Sequence, residues 1–333
     1  MNKAPVVTIA IPLRDEAPRL PGLLDAVLAQ DYPAEDMQIL LIDGGSQDET
    51  RRLAAAAAAR NHHLAVLDNP RRLAASGLNL ALAQAVGEVF VRLDARTRPA
   101  PDYVTCCIRA LTSGGADGFL AGVGGPQLAT GETPSARIHA LALNHPFGVG
   151  SPAYRRASRP QRSETIYLGA YRTAWLHRVR GWDESFAFNE DYEINTRLRQ
   201  AGAWLLVDPA IRCHYLARES CGQLARQYFH FGAWRTVTIR RHRDAWRWRH
   251  LAPALLAAAF LLALLLAVWS LWPLVGLLGV YLGLDLAVSL QIGLRHGFSA
   301  VPRLLAVFPL LHLSWGAGFW LGVIRSPRAS VRR

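Results

Sequence analysis

Lysine is all but missing from this chain of 333 residues; Lys3 is the single one. The formal net charge of +12 is therefore arginine charge. An arginine-only surplus reflects genome composition as readily as a binding surface, so charge alone names no partner. A basic face suits anionic lipid, a diphosphate or nucleic acid. No nucleic-acid motif and no aromatic-basic groove pattern is present, which sets nucleic acid aside. Cysteine is also scarce: Cys106, Cys107, Cys213 and Cys221 show no CxxC spacing. That argues against a zinc site and for free thiols in a reducing cytoplasm. A secretory signal is lacking too, because the first apolar run, "VVTIAIP" from residue 6, is too short and reads as a β-strand. The large N-terminal part is accordingly expected on the cytoplasmic side.

The other shortage is local. From residue 251, "LAPALLAAAFLLALLLAVWSLWPLVGLLGVYLGLDLAVSL" is nearly uncharged. A helix needs about 20 apolar residues to cross a bilayer, so this run provides two passes, 251–269 and 271–291. "WSLWPL" between them supplies a proline break and interfacial tryptophans, as at a hairpin tip. A third apolar segment, 303–324, is interrupted by Pro309, His312 and glycines, and reads as a crossing, a re-entrant element or an interfacial helix. The basic stretch "RRHRDAWRWRH" before the first pass favours the cytoplasmic face, as do Arg295 and Arg303. The tail "RSPRASVRR" is basic as well, which conflicts with three clean crossings. The expected organisation is a cytoplasmic domain over 1–245, with 221–249 an interfacial helix and basic pre-membrane segment, then a membrane region over 251–325.

The first hundred residues alternate strand and helix. Strand patterns at 6–12, 37–43, 64–68 and 89–94 interleave with helix patterns at 19–30, 48–60 and 76–86. Such alternation predicts an α/β fold with a mostly parallel, Rossmann-like sheet and helices on both faces. Ligands of these sheets bind beyond the carboxyl ends of the strands. The residues there are Pro12–Glu16, Asp43–Asp48, Asn69–Arg72 and Asp94–Arg96. Between 121 and 165 the pattern dissolves into Gly, Pro and Arg, which predicts a long mobile loop of the kind that serves as a lid. Asn189 is placed to cap a helix that begins at Glu190 and ends at Gly202, with Ile194 and Leu198 facing the core.

Asp43 in "LIDGGSQDET" ends a strand where a carboxylate can accept from a base N–H or ribose hydroxyls, and two glycines admit a nucleotide. An ordinary acidic turn reads equally well. Glu190 and Asp191 begin a helix, where the dipole favours the ionised carboxylate that a general base requires. Taken alone, such a pair is more often simple capping. The helix 221–235 carries Leu224, Tyr228 and Phe231 on one face and reads as interfacial, with a core helix as the alternative.

The segments "IPLRDE", "LIDGGSQDET", "NPRRLAASGLNLALAQAVGE", "RLDART", "YLGAYRTAWLHRVRGWDE" and "NEDYEINTRLRQAG", in this order, resemble the family 2 inverting glycosyltransferases of GT-A fold. Within that family the chain resembles the succinoglycan-type exopolysaccharide enzymes. The resemblance covers residues 5 to about 245. It implies that Pro12, Glu16 and Asp43 line the base and ribose of a nucleotide diphosphate sugar, by family habit a UDP-sugar, with Arg72 near them. It implies Asp94 beside sugar and diphosphate, Asp191 as catalytic base and Glu190 as its support. The acceptor would be a polyprenyl-diphosphate-linked saccharide at a bacterial inner membrane, with Arg226, Gln227 and Trp234 facing acceptor or interface. The run Gln223-Leu-Ala-Arg226-Gln227 lacks the tryptophan of the polymer-extruding members, which fits transfer of one sugar. A polyprenyl-phosphate glycosyltransferase and a silent assembly scaffold are the rival readings.

The sequence departs from the family at Asp15, often Asn, at Gly44, often Asp, and at Arg96, which stands where a second carboxylate holds a metal. Asp94 with His214 would still hold Mg2+ or Mn2+, though a structural role for His214 is the stronger reading. Arginine cannot ligate a metal but pairs with diphosphate oxygens, so Arg96 is expected to take over some or all of the metal's role, or else to swing into solvent.

Overall fold

The computed structural model describes residues 5–115 and 117–325. The chain divides into two compact units, one built from residues up to Leu128 with Pro152–Tyr215, the other from Ala129–Ser151 with the chain from Leu216 on.

In the first unit the expected alternation is present. Strand β1 (Val7–Leu13), helix α1 (Leu20–Leu28), β2 (Met37–Asp43), α2 (Thr50–Ala58), β3 (Leu64–Asp68), α3 (Ala74–Ala83) and β4 (Val89–Arg92) follow in order. β1 runs parallel to β2 and β4, and β2 parallel to β3. Then come β5 (Thr97–Pro99), α4 (Tyr103–Gly114), β6 (Leu120–Gly125) and β7 (Gln127–Thr130). The chain then passes through helices α5 (Pro134–Leu143) and α6 (Pro146–Val149) of the second unit and returns to the first with α7 (Ala153–Arg156), β8 (Gln161–Ser163), β9 (Tyr167–Arg172), α8 (Thr173–Arg178), α9 (Glu190–Gln200), β10 (Trp204–Val207) and β11 (Cys213–Leu216). The large sheet has the order β3-β2-β1-β4-β9-β6-β10-β8. It is mixed: β9 runs antiparallel to β4 and β6, and β8 antiparallel to β10.

Side chains alternate across this sheet as the pleat requires. Val7, Ile9 and Ile11 pack with Leu23 and Val27 of α1 and with Val104 and Leu111 of α4. Ala10, Leu40, Ile42 and Phe90 pack on the other face with Leu78 of α3 and Ile194 and Leu198 of α9. Helices thus cover both faces, and the loops at the carboxyl ends of β1, β2 and β4 remain for ligand.

The expected mobile loop at 121–165 is corrected: β6, β7, α5, α6, α7 and β8 fall within it. Several of its glycines serve close packing. A Cβ at Gly122 would lie 2.7 Å from the Tyr171 ring, and one at Gly125 would lie 1.6 Å from the Ile211 carbonyl oxygen. Composition read as flexibility was steric demand.

In the second unit, α10 (Cys221–Arg241) precedes α11 (Leu251–Leu266), α12 (Trp272–His296) and α13 (Val301–Ile324). Three helical segments, Trp248–Leu266, Trp272–His296 and Phe298–Ile324, are long and apolar enough to cross a membrane. Leu261, Leu262, Leu264 and Leu265 lie exposed, and Trp269 and Trp272 stand about four-fifths exposed at the turn between α11 and α12. The features that interrupt the third segment in sequence hold its helix in place. Gly318 of α13 lies against the Phe229 carbonyl of α10, where a Cβ would come within 2.0 Å. His312 Nε2 donates to the Phe147 carbonyl at 2.7 Å, and its Nδ1 accepts from the Tyr281 hydroxyl at 2.8 Å. Small residues and satisfied polar groups are how apolar helices pack closely. The basic tail beyond Arg325 lies outside the described residues.

Candidate active site

Three loops meet at the carboxyl ends of the parallel strands. Leu13 pairs with Asp43, and Asp43 with Asp68, so the turns after β1, β2 and β3 begin at one level. The Gly44 amide donates to Leu13 O at 2.8 Å and the Asn69 amide to Asp43 O at 2.8 Å. Asp43 is 1% exposed. Its Oδ1 accepts from the Ser46 amide at 3.1 Å and hydroxyl at 2.6 Å. Its Oδ2 has no hydrogen-bond partner among the described residues, with only the Arg51 guanidinium at 3.7 Å. That leaves one buried acceptor at the carboxyl end of β2. Pro12 lies one residue before the end of β1, in register with Ile42.

The departure at Asp15 has a local cause. Asp15 sits at φ 53°, and Asn and Asp are the residues that tolerate this left-handed region. Its carboxylate accepts from the Gln47 amide at 2.7 Å while its own amide donates to Ser46 Oγ at 3.0 Å, clasping the first two loops together. Asp48 continues the clasp, accepting from Thr50 N at 2.9 Å and from Ala17 N at 3.1 Å. Slight burial raises its carboxyl, but the hydrogen bonds from Thr50 and Ala17 outweigh that and hold it below the ordinary aspartate value. Arg72, at φ 58°, lays its guanidinium over Gly45, whose Cβ would meet Nε at 3.1 Å. The structure therefore brings Arg72 to the Asp43 turn.

Glu16 and Arg96 form a pair. Arg96 Nε donates to Glu16 Oε1 at 2.9 Å, and Arg19 Nη1 donates to Oε2 at 3.0 Å. The Arg96 side chain is 11% exposed, so it is held in the site and does not swing into solvent. Both Glu16 oxygens accept from arginine in this structure.

Around Asp94 a network closes in which Arg92 and Glu190 are buried and Asp94 is partly exposed. Arg92, at the end of β4, donates from Nε to Asp94 Oδ1 at 3.1 Å and from Nη2 to Glu190 Oε1 at 2.7 Å. Burial works against the Arg92 charge, yet Asp94, Glu190 and Asp191 together hold it well above its ordinary value. Burial pushes the Glu190 carboxyl up, and Arg92 reverses only part of that. Asp191, one residue on and partly exposed, accepts from the Tyr192 amide at 2.7 Å. Asn189 has φ 61° and its side chain does not cap α9, which corrects the capping expectation. Helix α9 is fixed elsewhere: Arg197 pairs with buried Glu193 and reaches the carbonyls of Val179 at 2.6 Å and Gly181 at 2.7 Å.

Arg92 is the site residue that the motif reading passed over. Its signal was available, since "VFVRLD" places one cation in an otherwise apolar buried strand, and a buried cation requires partners.

His214 does not join Asp94. It pairs with Arg98 across β5 and β11, while the next pair, Tyr215 with Thr97, carries the face on which Thr97 Oγ1 donates to Asp94 O at 2.7 Å. Adjacent pairs point to opposite faces. Among the described residues no three His, Cys, Asp or Glu side chains converge. One carboxylate, already accepting from Arg92, with an arginine two residues on, does not fit a cation held by protein ligands. Arg226 and Gln227 lie on α10 in the second unit, Arg226 exposed and Gln227 accepting from Arg218 Nε at 3.4 Å. Trp234 is 3% exposed and belongs to the packing of that unit, which corrects its expected interfacial position.

The description "Glycosyl transferase family 2" matches residues 8–178, about half the chain. A succinoglycan biosynthesis protein, ExoA, of Rhizobium meliloti (strain 1021) is 28% identical over 94% of this chain and 93% of its own length. A dolichyl N-acetyl-α-D-glucosaminyl phosphate 3-β-D-2,3-diacetamido-2,3-dideoxy-β-D-glucuronosyltransferase of Methanococcus voltae is 26% identical over 71% of this chain and 74% of its own. Among solved structures, a mannosyltransferase of Pyrobaculum calidifontis, in complex with GDP-Man and Mn2+, superposes with a TM-score of 0.62 at 20% identity, covering 95% of this chain and 87% of that one. That likeness carries the GT-A fold. The strand-end site, the family match and the relative spanning nearly the whole chain agree: the protein is a glycosyltransferase and belongs to glycosyltransferase family 2.

Proposed function

We propose that the protein transfers one sugar from a UDP-sugar to a polyprenyl-diphosphate-linked saccharide, with inversion, at the cytoplasmic face of a bacterial inner membrane. The observation that carries this reading is the link from Asp94, at the end of β4, through Arg92 to Glu190 at the start of α9, with Asp191 next in line. It sets a partly exposed carboxylate beside the strand end where a GT-A enzyme receives its donor sugar.

In this reaction Asp191 takes the proton of the acceptor hydroxyl as its oxygen attacks the anomeric carbon, and the bond to the nucleotide diphosphate breaks with the electron pair leaving on diphosphate oxygen. A single displacement turns an α-linked donor into a β-glycoside. The leaving group gathers charge, and Arg96 is the cation available to meet it once it releases Glu16. Asp43 and Arg72 receive the nucleoside side of the donor. Asp94 contacts the sugar and diphosphate side.

The acceptor class rests on the company this chain keeps. Its relative from Methanococcus voltae is named for action on a dolichyl-phosphate-linked sugar, and that from Rhizobium meliloti for succinoglycan biosynthesis. Three apolar helices long enough to cross a bilayer suit a lipid-borne acceptor. The basic stretch before α11 favours the cytoplasmic orientation. The test is transfer from a panel of radiolabelled UDP- and GDP-hexoses to a synthetic polyprenyl-diphosphate-linked sugar, using the full chain in lipid nanodiscs. Label on that lipid, absent when polyprenyl phosphate replaces it, is expected. Label on polyprenyl phosphate instead would favour the polyprenyl-phosphate enzyme.

A further inference from the structure

Arg92 is the only charged residue of β4 and is 6% exposed. Two of its nitrogens are engaged, while Nη1 is buried without a hydrogen-bond partner among the described residues. A guanidinium withdrawn from water with one nitrogen unsatisfied costs stability, and a well-packed apolar side chain in its place is often neutral or better. Stability does not explain this arginine. What it joins does: Asp94 stands two residues after it, whereas Glu190 lies 98 positions away in sequence, at the first position of α9.

At the start of α9, Asn189 is left-handed and makes no side-chain capping hydrogen bond, and the first turn carries Asp191. The clamp formed by Glu193 and Arg197 lies one turn further on. A planar fork can address two carboxylates at once with set directions, which a flexible ammonium cannot.

We propose that Arg92 is a positioning residue, fixing the turn that carries Asp191 against the donor-sugar end of β4 by tying Glu190 to Asp94. It touches neither donor nor acceptor. This rests on the reading of Asp191 as base. Misplacing a reacting group by about 1 Å costs on the order of 100-fold in rate.

The experiment compares wild type, Arg92→Met, Arg92→Lys, Glu190→Gln and the double variant Arg92→Met with Glu190→Gln, alongside Asp191→Asn, in the nanodisc transfer assay, with UDP affinity measured on each by calorimetry. Arg92→Met is expected to lose about 100-fold in kcat while UDP affinity stays within about threefold, which also shows that the variant is folded. Arg92→Lys should recover less than tenfold, and the double variant should be no slower than the worse single one, because both substitutions cut one link. UDP affinity falling in step with kcat would make Arg92 a ligand-binding residue and overturn the proposal. Losses that multiply in the double variant, or an Arg92→Met enzyme within threefold of wild type while Asp191→Asn is inactive, would overturn it too. An Asp191→Asn enzyme with full turnover, or a wild-type chain inactive across the donor panel, would overturn the functional reading and this proposal with it.

Discussion

Replacing Arg96 by alanine removes the one cation that stands where related enzymes place a metal-binding carboxylate. The structure sets the size of the effect. The side chain is largely buried, so an ionic hydrogen bond from it to a diphosphate would contribute about 1.5–3 kcal/mol. Against this, Arg96 must first release Glu16, which it holds at 2.9 Å in the free protein. Glu16 is not stranded by that release, because Arg19 still donates to its other oxygen at 3.0 Å. The net loss on substitution should therefore sit toward the lower end, about 1.5–2 kcal/mol, which is a 10- to 30-fold weakening of UDP binding. Calorimetry with UDP, run in Mn2+ and again in chelator, reads this directly. Wild-type affinity should change by less than about threefold between the two conditions, and Arg96→Lys should fall between wild type and Arg96→Ala, since an ammonium keeps the charge and loses the fork. Binding that requires Mn2+ and ignores Arg96→Ala would refute the reasoning and return the diphosphate to a metal on Asp94.

Glu190 gives a pH signature. Its carboxyl is raised by burial, so between the ordinary glutamate value and the raised one the folded protein keeps a proton that the unfolded chain has lost, and stability falls as pH rises through that window. Glu190→Gln has no such fall, so the Tm of the variant should gain on wild type as pH is taken from 4 to 7, and a constant difference would contradict the assignment. Gly318 lies so near the Phe229 carbonyl that Gly318→Ala should destabilise the helical unit by about 1–3 kcal/mol, seen as a lower Tm in detergent. Gly283 of α12, with nothing within 4 Å, serves as the control and should tolerate alanine. Of the four cysteines only Cys221 is exposed, so maleimide under native conditions should label one thiol per chain, and Cys221→Ser should abolish that label.

The strand ends were legible because parallel sheets bury both faces, so apolar runs such as "MQILLID" announce themselves and the polar residue that stops each run marks the ligand edge. Asp43, Asp94 and Arg96 were singled out as candidates by that rule. Glu16 was singled out by its position, yet its occupation by two arginines is a three-dimensional fact that no spacing encodes. Arg92 was missed because motif reading looks after the strand and not within it. The strand "LAGVGG" was read as loop because its glycines accommodate Tyr171 and Ile211, partners distant in sequence. Asn189 illustrates a different ambiguity. Asn favours both helix caps and left-handed backbone, and only the observed φ of 61° separates them. Trp234 was expected at acceptor or interface from the family resemblance, whereas it is one of the most buried side chains of α10.

The account depends most on Asp191 as the base, and the most direct measurement is the transfer rate of Asp191→Asn beside its affinity for UDP. The amide is nearly isosteric and cannot take a proton, so kcat should fall by about 100- to 10,000-fold while UDP binding stays within about threefold. Turnover at the wild-type rate with UDP still bound would contradict the account, because an acceptor that needs no base is a phosphate and not a sugar hydroxyl.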